Sequence, residues 1–122
     1  MNVQTLLAKM AGQREAWVDL PGGPRVQYRR PLEVDLPRLA AGVTPGLVCE
    51  FVCGWDKFTE ADLLGPAVGS SDAVAFAPEL WAAYVRDRVD VLQIVARAMA
   101  STVTEFLLKR QAEAKNSGPS SS

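Results

Sequence analysis

The stretch from Val89 to Lys115 constrains the fold most, because its pattern predicts one continuous helix of roughly seven turns. Apolar residues recur along it at steps of three and four: Leu92, Val95, Met99, Val103 and Phe106. Residues at this spacing line one face of a helix. Such a face is usually covered by the sheet of its own domain, and we expect this for the N-terminal half of the helix.

The C-terminal half of the same helix carries more apolar surface than the end of a helix needs. Phe106, Leu107 and Leu108 follow one another there. An apolar cluster of this kind is typical of a surface that a partner helix or a second subunit covers.

A β-hairpin is predicted near the start of the chain. The segments Glu15–Leu20 and Arg25–Arg30 each alternate apolar and polar residues, so each has one apolar face. Pro21–Pro24 separates them with two glycines, which supply the positive φ angles of a tight reversal. Ahead of the hairpin, the spacing of apolar residues within the first ten residues predicts a short helix.

The middle of the chain combines a predicted strand with two shorter helices. The prolines between Pro31 and Gly46 indicate a connector with room for a turn of helix only at Pro37–Ala41. The apolar run Leu47–Cys53 predicts a buried strand. Thr59–Leu64 begins with a capping residue and predicts a helical turn. Pro78 stands where proline favours the first position of another helix. Together these elements predict an α+β fold in which a small antiparallel sheet packs against C-terminal helices, including one long amphipathic helix.

The cysteines are expected to be reduced. Cys49 and Cys53 would lie about 13 Å apart in one extended strand, which is too far for a disulfide. Buried free thiols are the expected state.

Composition predicts a single domain and argues against nucleic acid as a partner. At 122 residues the chain can bury one core, and we expect it in residues 1–116, followed by a disordered Ser-rich tail at 117–122. The 13 basic and 14 acidic side chains nearly cancel, so the basic cluster Arg25, Arg29 and Arg30 is expected to be a solvated face. No membrane-spanning run or signal peptide is apparent, which predicts a cytoplasmic protein without membrane contact.

Catalysis is not expected. The chain has no histidine, which removes the usual general base, the commonest metal ligand and the ordinary catalytic triads. The glycines lack the following Lys and Ser or Thr of a phosphate-binding loop. The sequence therefore predicts no enzyme activity, no cofactor and no metal site.

Three motifs in the central segment resemble a known family. Gly54-Trp55-Asp56 is followed by Phe-Thr-Glu-Ala-Asp-Leu-Leu-Gly and then by Asp-Ala-Val-Ala-Phe-Ala-Pro-Glu-Leu. Their order and spacing are similar to a pattern of bacteriophage tail assembly chaperones, and the resemblance extends over about Glu15–Asn116. The chain departs from the family in having Lys57 where a glycine often follows Trp-Asp, which leaves the local turn type open.

The resemblance implies a non-enzymatic protein of a long-tailed phage, a prophage or a phage-derived particle. Such a chaperone binds the tape measure protein and keeps its long apolar helices soluble until the tail tube assembles, so the tail tube protein is a further candidate partner. The apolar end of the long helix leaves a homo-oligomer open. Aromatic and apolar anchors dominate such interfaces, and the candidate contact residues are Trp81, Tyr84, Phe106 and Leu107. The alternatives are a structural tail or head-tail connector subunit, and an adaptor domain unrelated to phage.

Overall fold

The predicted hairpin forms two strands of a three-stranded antiparallel sheet. β1 (Glu15–Asp19) pairs with β2 (Arg25–Arg29), and β2 pairs with β3 (Val52–Asp56), so β2 lies in the centre. The alternation along β2 is as the sequence indicates, because Val26 and Tyr28 are buried while their neighbours are not.

Six α-helices accompany the sheet in residues 2–117, the part of the chain that the computed structural model describes. Their bounds are α1 Val3–Gln13, α2 Leu36–Leu39, α3 Pro45–Phe51, α4 Glu60–Leu64, α5 Pro78–Arg86 and α6 Val89–Ser117. A short 3-10 turn, Glu33–Asp35, leads into α2. The fold class is therefore α+β, as predicted. The expected tail at 117–122 lies outside the described residues except for its first residue, which ends α6.

The buried apolar side chains form one cluster between the sheet and helices α3, α5 and α6. The long helix contributes Val91, Val95 and Met99, which are buried at intervals of four residues. Their spacing confirms that one face of α6 covers the rest of the domain. Leu92, Val103 and Phe106 of the predicted stripe are partly buried beside them.

The capping signals of two shorter helices are confirmed. The Thr59 side chain accepts a hydrogen bond from the N–H of Asp62 at 3.3 Å, and Asp62 accepts one from the N–H of Thr59 at 2.8 Å. This reciprocal pair satisfies two N–H groups at the start of α4. Pro78 occupies the first turn of α5.

The strand predicted for residues 47–53 is wrong over most of its length. Residues 45–51 form α3, and β3 begins only at Val52. The Thr44 hydroxyl caps the helix by accepting a hydrogen bond from the N–H of Leu47 at 3.2 Å, and Pro45 lies in the first turn. A short apolar run does not distinguish a buried strand from a buried helix. Here the Thr-Pro start favours the helix.

This correction changes the reason for the free cysteines but not the result. Cys49 lies in α3 and Cys53 in β3, so they do not share a strand. Both are free thiols, as predicted, but they are half-buried and not fully buried as expected. Burial raises the pKa of the Cys53 thiol, which leaves less thiolate for reaction at neutral pH.

One side chain of the sheet holds the long helix in place. Tyr28, which is 3% exposed, reaches from the central strand to α6. Its hydroxyl can donate its one proton to the Thr102 hydroxyl at 2.5 Å or to the carbonyl of Ala98 at 3.1 Å. The Thr102 hydroxyl also donates to the Ala98 carbonyl at 2.9 Å. The sheet and α6 are thus linked by a buried polar contact as well as by apolar packing.

The turn after β3 needs a left-handed backbone. Lys57, with a φ of +63°, is the one non-glycine residue with positive φ in the part of the chain that the structure describes. An L-residue in this conformation costs about 1–2 kcal/mol, and glycine avoids that cost. The turn therefore has the geometry of a glycine turn although a lysine occupies it.

Replacing Lys57 with glycine should stabilise the protein by about 0.5–1 kcal/mol. The substitution relieves the backbone strain, and the greater flexibility of glycine in the unfolded chain offsets part of that gain. Urea unfolding of Lys57→Gly and Lys57→Ala measures the difference. Alanine keeps the strain and should leave the stability close to that of the wild type. A glycine variant no more stable than the alanine variant would contradict the assignment of strain.

Removal of the Tyr28 hydroxyl should lower the free energy of unfolding by about 1 kcal/mol, since it removes the buried contact to α6. Tyr28→Phe is compared with Thr104→Val, which deletes an exposed hydroxyl that bonds only to the Ala100 carbonyl of its own helix. The control should change the stability by less than about 0.5 kcal/mol. Equal losses in the two variants would show that the contact does not hold α6.

Candidate partner-binding surface

The structure separates the four residues predicted to contact a partner. Trp81 is fully buried in the core, and its indole N–H has no hydrogen-bond partner within residues 2–117. Its ring lies 6.1 Å from that of Tyr84. A side chain in this position shapes the core and does not face a partner in this conformation.

Tyr84 lies at an open pocket of about 400 Å³ between α4 and α5. Its ring packs edge-on against Phe58 at 5.4 Å, and its hydroxyl accepts a hydrogen bond from Arg88 at 3.3 Å. Burial raises the pKa of the Tyr84 phenol, and the nearby Arg88 lowers it by less. The pocket mixes leucines with the carboxylates of Asp62 and Asp87, so it is not a continuous apolar surface.

Phe106 lies on the side of α6 that faces the end of the hairpin. The guanidinium of Arg30 stacks on its ring at 3.6 Å, and that of Arg110 lies 5.8 Å from the ring centre. Burial lowers the pKa of Arg30, and Arg14 lowers it further. Phe106 is therefore covered by a cation and anchors α6 to the hairpin.

The other arginines of the basic cluster have partners as well. Arg25 pairs with Asp56 at 3.2 Å and stacks on Trp17 at 4.2 Å. Arg29 pairs with Glu15 at 3.5 Å. Each of these side chains is partly exposed, as expected of a solvated face.

Leu107 lies in an apolar groove, which we call the α2–α6 groove. The groove has a volume of about 310 Å³. One wall is formed by residues one turn apart on α6, which are Met99, Val103 and Leu107. The opposite wall is formed by α2 and the residues after it, which are Leu36, Leu39 and Val43.

The lining of the α2–α6 groove contains no charged side chain. The hydroxyl of Thr104 is its one side-chain polar group, and it donates to the Ala100 carbonyl within the helix. A cavity of about 150 Å³ can hold a benzene ring, so this groove has room for roughly two aliphatic side chains. It can accept apolar anchors one helical turn apart without desolvating a charge.

An ion-pair network fixes the outer wall of the groove. Arg38 of α2 donates to both carboxylate oxygens of Glu50 in α3, at 2.9 and 2.6 Å, and also pairs with Asp35 at 3.3 Å. The hydrogen bonds from Arg38 hold the pKa of Glu50 below its usual value. This two-pronged geometry orients a helix of only four residues.

The sequence indicated room for one turn of helix at Pro37–Ala41, and α2 lies there. That this turn forms a wall of the groove was missed, although a signal was present. Leu36, Leu39 and Val43 are spaced by three and four residues, the spacing of one helical face. The neighbouring prolines led to the interpretation of a connector. Proline at the start of a helix is compatible with that spacing.

A second uncovered apolar surface lies on α1. No residue of this helix is buried. Its apolar residues Val3, Leu6, Leu7 and Met10 are 68, 47, 52 and 62% exposed. They share one side of the helix, and we call them the α1 stripe.

The length and composition of α6 also match those of a membrane-spanning helix. The sequence was expected to contain no apolar run of the roughly 20 residues that cross a bilayer. Core helices of soluble proteins meet the same criterion and are mostly buried, whereas 17% of the apolar stretch of α6 is buried in the structure. The cytoplasmic location stays a prediction. Within residues 2–117 no group of His, Cys, Asp and Glu is arranged to hold a metal ion.

Comparisons with protein-family models, curated proteins and solved structures give no match for this chain. The resemblance to tail assembly chaperones is therefore not tested by them and stays a prediction.

The Tyr84 phenol should ionise above pH 10, its ordinary value, in the folded protein. The folded state holds this proton more tightly than the unfolded state. The contribution of the phenol to the free energy of unfolding is therefore complete below about pH 10 and is lost as the pH rises through the folded pKa. Absorbance titration of the Tyr28→Phe variant follows Tyr84 alone, since the chain has two tyrosines. The same titration in denaturant is the control. A folded midpoint at or below the denatured one would contradict the effect of burial.

Proposed function

We propose that this protein is a non-enzymatic assembly chaperone that holds apolar helical segments of a larger client. The observation that carries the proposal is the α2–α6 groove, an uncharged apolar surface with room for anchors one helical turn apart. Binding of this kind needs shape and apolar area and no reactive group. The resemblance of the sequence motifs implies that the client is a tape measure protein.

The turn at Lys57 gives independent support to that resemblance. The family pattern often has glycine at this position, and the backbone of Lys57 adopts the left-handed conformation that glycine favours. The departure in residue type thus leaves the turn geometry of the pattern in place.

Of the four predicted contact residues, Leu107 has the strongest case for direct contact with the client. It is half-buried in the groove wall, whereas Trp81 is in the core and Phe106 is covered by Arg30. Tyr84 lines a separate pocket that also contains two carboxylates, so it has a weaker case for contact with an apolar helix.

The test is co-expression with the longest helix-rich protein encoded beside this gene, scored by whether that protein becomes soluble and copurifies. We expect both in the wild type. Leu107→Glu should weaken binding at least tenfold, about 1.4 kcal/mol, because it places a charge in the groove.

Leu108→Glu is the matched control, because Leu108 is the next residue of α6, is 60% exposed and does not line the groove. It should bind within threefold of the wild type, an estimate of about 0.6 kcal/mol. Circular dichroism checks that both variants are folded. A client that stays insoluble, together with many copies of this protein in purified particles, would contradict the proposal and favour a structural subunit.

A further inference from the structure

The α1 stripe lacks the packing that normally stabilises a short helix. Isolated helices shorter than about 12–15 residues are marginal in water, and most of their stability in proteins comes from burying an apolar face. α1 has 11 residues and none of them is buried. Its start is capped by Asn2, whose side chain accepts a hydrogen bond from the N–H of Thr5 at 2.8 Å. The helix is therefore well formed locally but leaves its apolar face without a covering surface in the monomer.

The α1 stripe has no free linker with which to turn onto the groove of its own chain. Only Arg14 separates the end of α1 from the start of β1. The Arg14 carbonyl accepts a hydrogen bond from the N–H of Arg30 at 2.7 Å, and the Arg14 side chain donates to the Arg30 carbonyl at 3.1 Å. Gln13 lines the cavity beside Phe106, on a different side of α6 from the groove.

The α1 stripe and the α2–α6 groove match in length and in chemistry. Val3 to Met10 spans about 10 Å along a helix, and Met99 to Leu107 spans about 12 Å, at 1.5 Å per residue. The stripe presents side chains at the first, fourth, fifth and eighth positions, which are the positions that helices use in grooves, and the groove has room for about two of them. Neither surface carries a charge that would be desolvated.

We propose that α1 of a second copy of this chain occupies the α2–α6 groove, and that the exchange is reciprocal. A two-fold axis makes both contacts at once, since each copy offers one stripe and one groove. Stable specific interfaces bury about 1,200–2,000 Å² in total, so the proposal requires both contacts to form together. This proposal rests on the same groove as the proposed function. Its test uses this protein without a client, so a negative result would not bear on client binding.

Sedimentation velocity from about 1 to 100 µM tests the dimer, a range that brackets micromolar affinity. We expect a reversible dimer in the wild type. Leu7→Glu in the stripe and Leu107→Glu in the groove should each raise the dissociation constant at least a hundredfold. In a symmetric dimer one substitution disrupts both contacts, and each contact contributes roughly tenfold to the affinity.

Val68→Glu is the control, because Val68 is 77% exposed and lies on neither surface. Leu7 makes no buried contact in the monomer, so Leu7→Glu should leave the circular dichroism and the unfolding midpoint nearly unchanged. A wild type that stays monomeric at 100 µM would overturn the proposal, as would a dimer that neither substitution weakens.

A cysteine pair identifies the contact. In a Cys49→Ser, Cys53→Ser background, protein with Leu7→Cys is mixed with protein carrying Val103→Cys and oxidised. A disulfide joining residues 7 and 103 of different copies is expected, and Val68→Cys in place of Val103→Cys should give little. Equal yields from the two mixtures, or binding of the wild type to lipid vesicles with no self-association, would overturn the proposal.

Discussion

The contact between Tyr28 and α6 determines how the two halves of this protein fit together. The central strand offers one buried hydroxyl, and α6 offers the Ala98 carbonyl and the Thr102 hydroxyl at one turn's spacing. Burial of the apolar side chains on one face of α6 already opposes rotation of the helix, and the directional polar contact favours the same register. With the register fixed, Val91, Val95 and Met99 meet the core.

The same register determines what α6 presents elsewhere. Phe106 is turned toward Arg30, and Leu107, 100° further round the helix, is turned toward α2. The groove thus forms because α6 is held on one side by the sheet and meets on the other a four-residue helix tied to α3 by Arg38 and Glu50. A helix with one docked face and one open face suits a protein that holds apolar helices, whether they belong to a client or to a second copy.

Much of the fold could be predicted from local signals, and little of the groove could. Local signals are those carried by residues close together in sequence. They include the hairpin pattern, the Thr59 cap, the Pro78 helix start and the apolar spacing of α6. The helix α3 was missed because an apolar run of seven residues fits a strand or a helix equally well. The groove walls lie about sixty residues apart in sequence, and periodicity does not tell which two faces meet. For the same reason the sequence offered Trp81 and Leu107 as equal candidates, although one is buried in the core and the other lines the groove.

Site-specific photo-crosslinking from α6 tests the central claim most directly, which is that the α2–α6 groove binds helices. A photoreactive residue replaces Thr104, which lines the groove, or Ser101, which is exposed on the same helix outside it. Mass spectrometry of the complex with the neighbouring helix-rich protein then identifies the linked peptide. The account predicts abundant crosslinks from position 104 to an amphipathic helical segment and few from position 101. Equal yields from the two positions, or crosslinks mainly from 101, would contradict it.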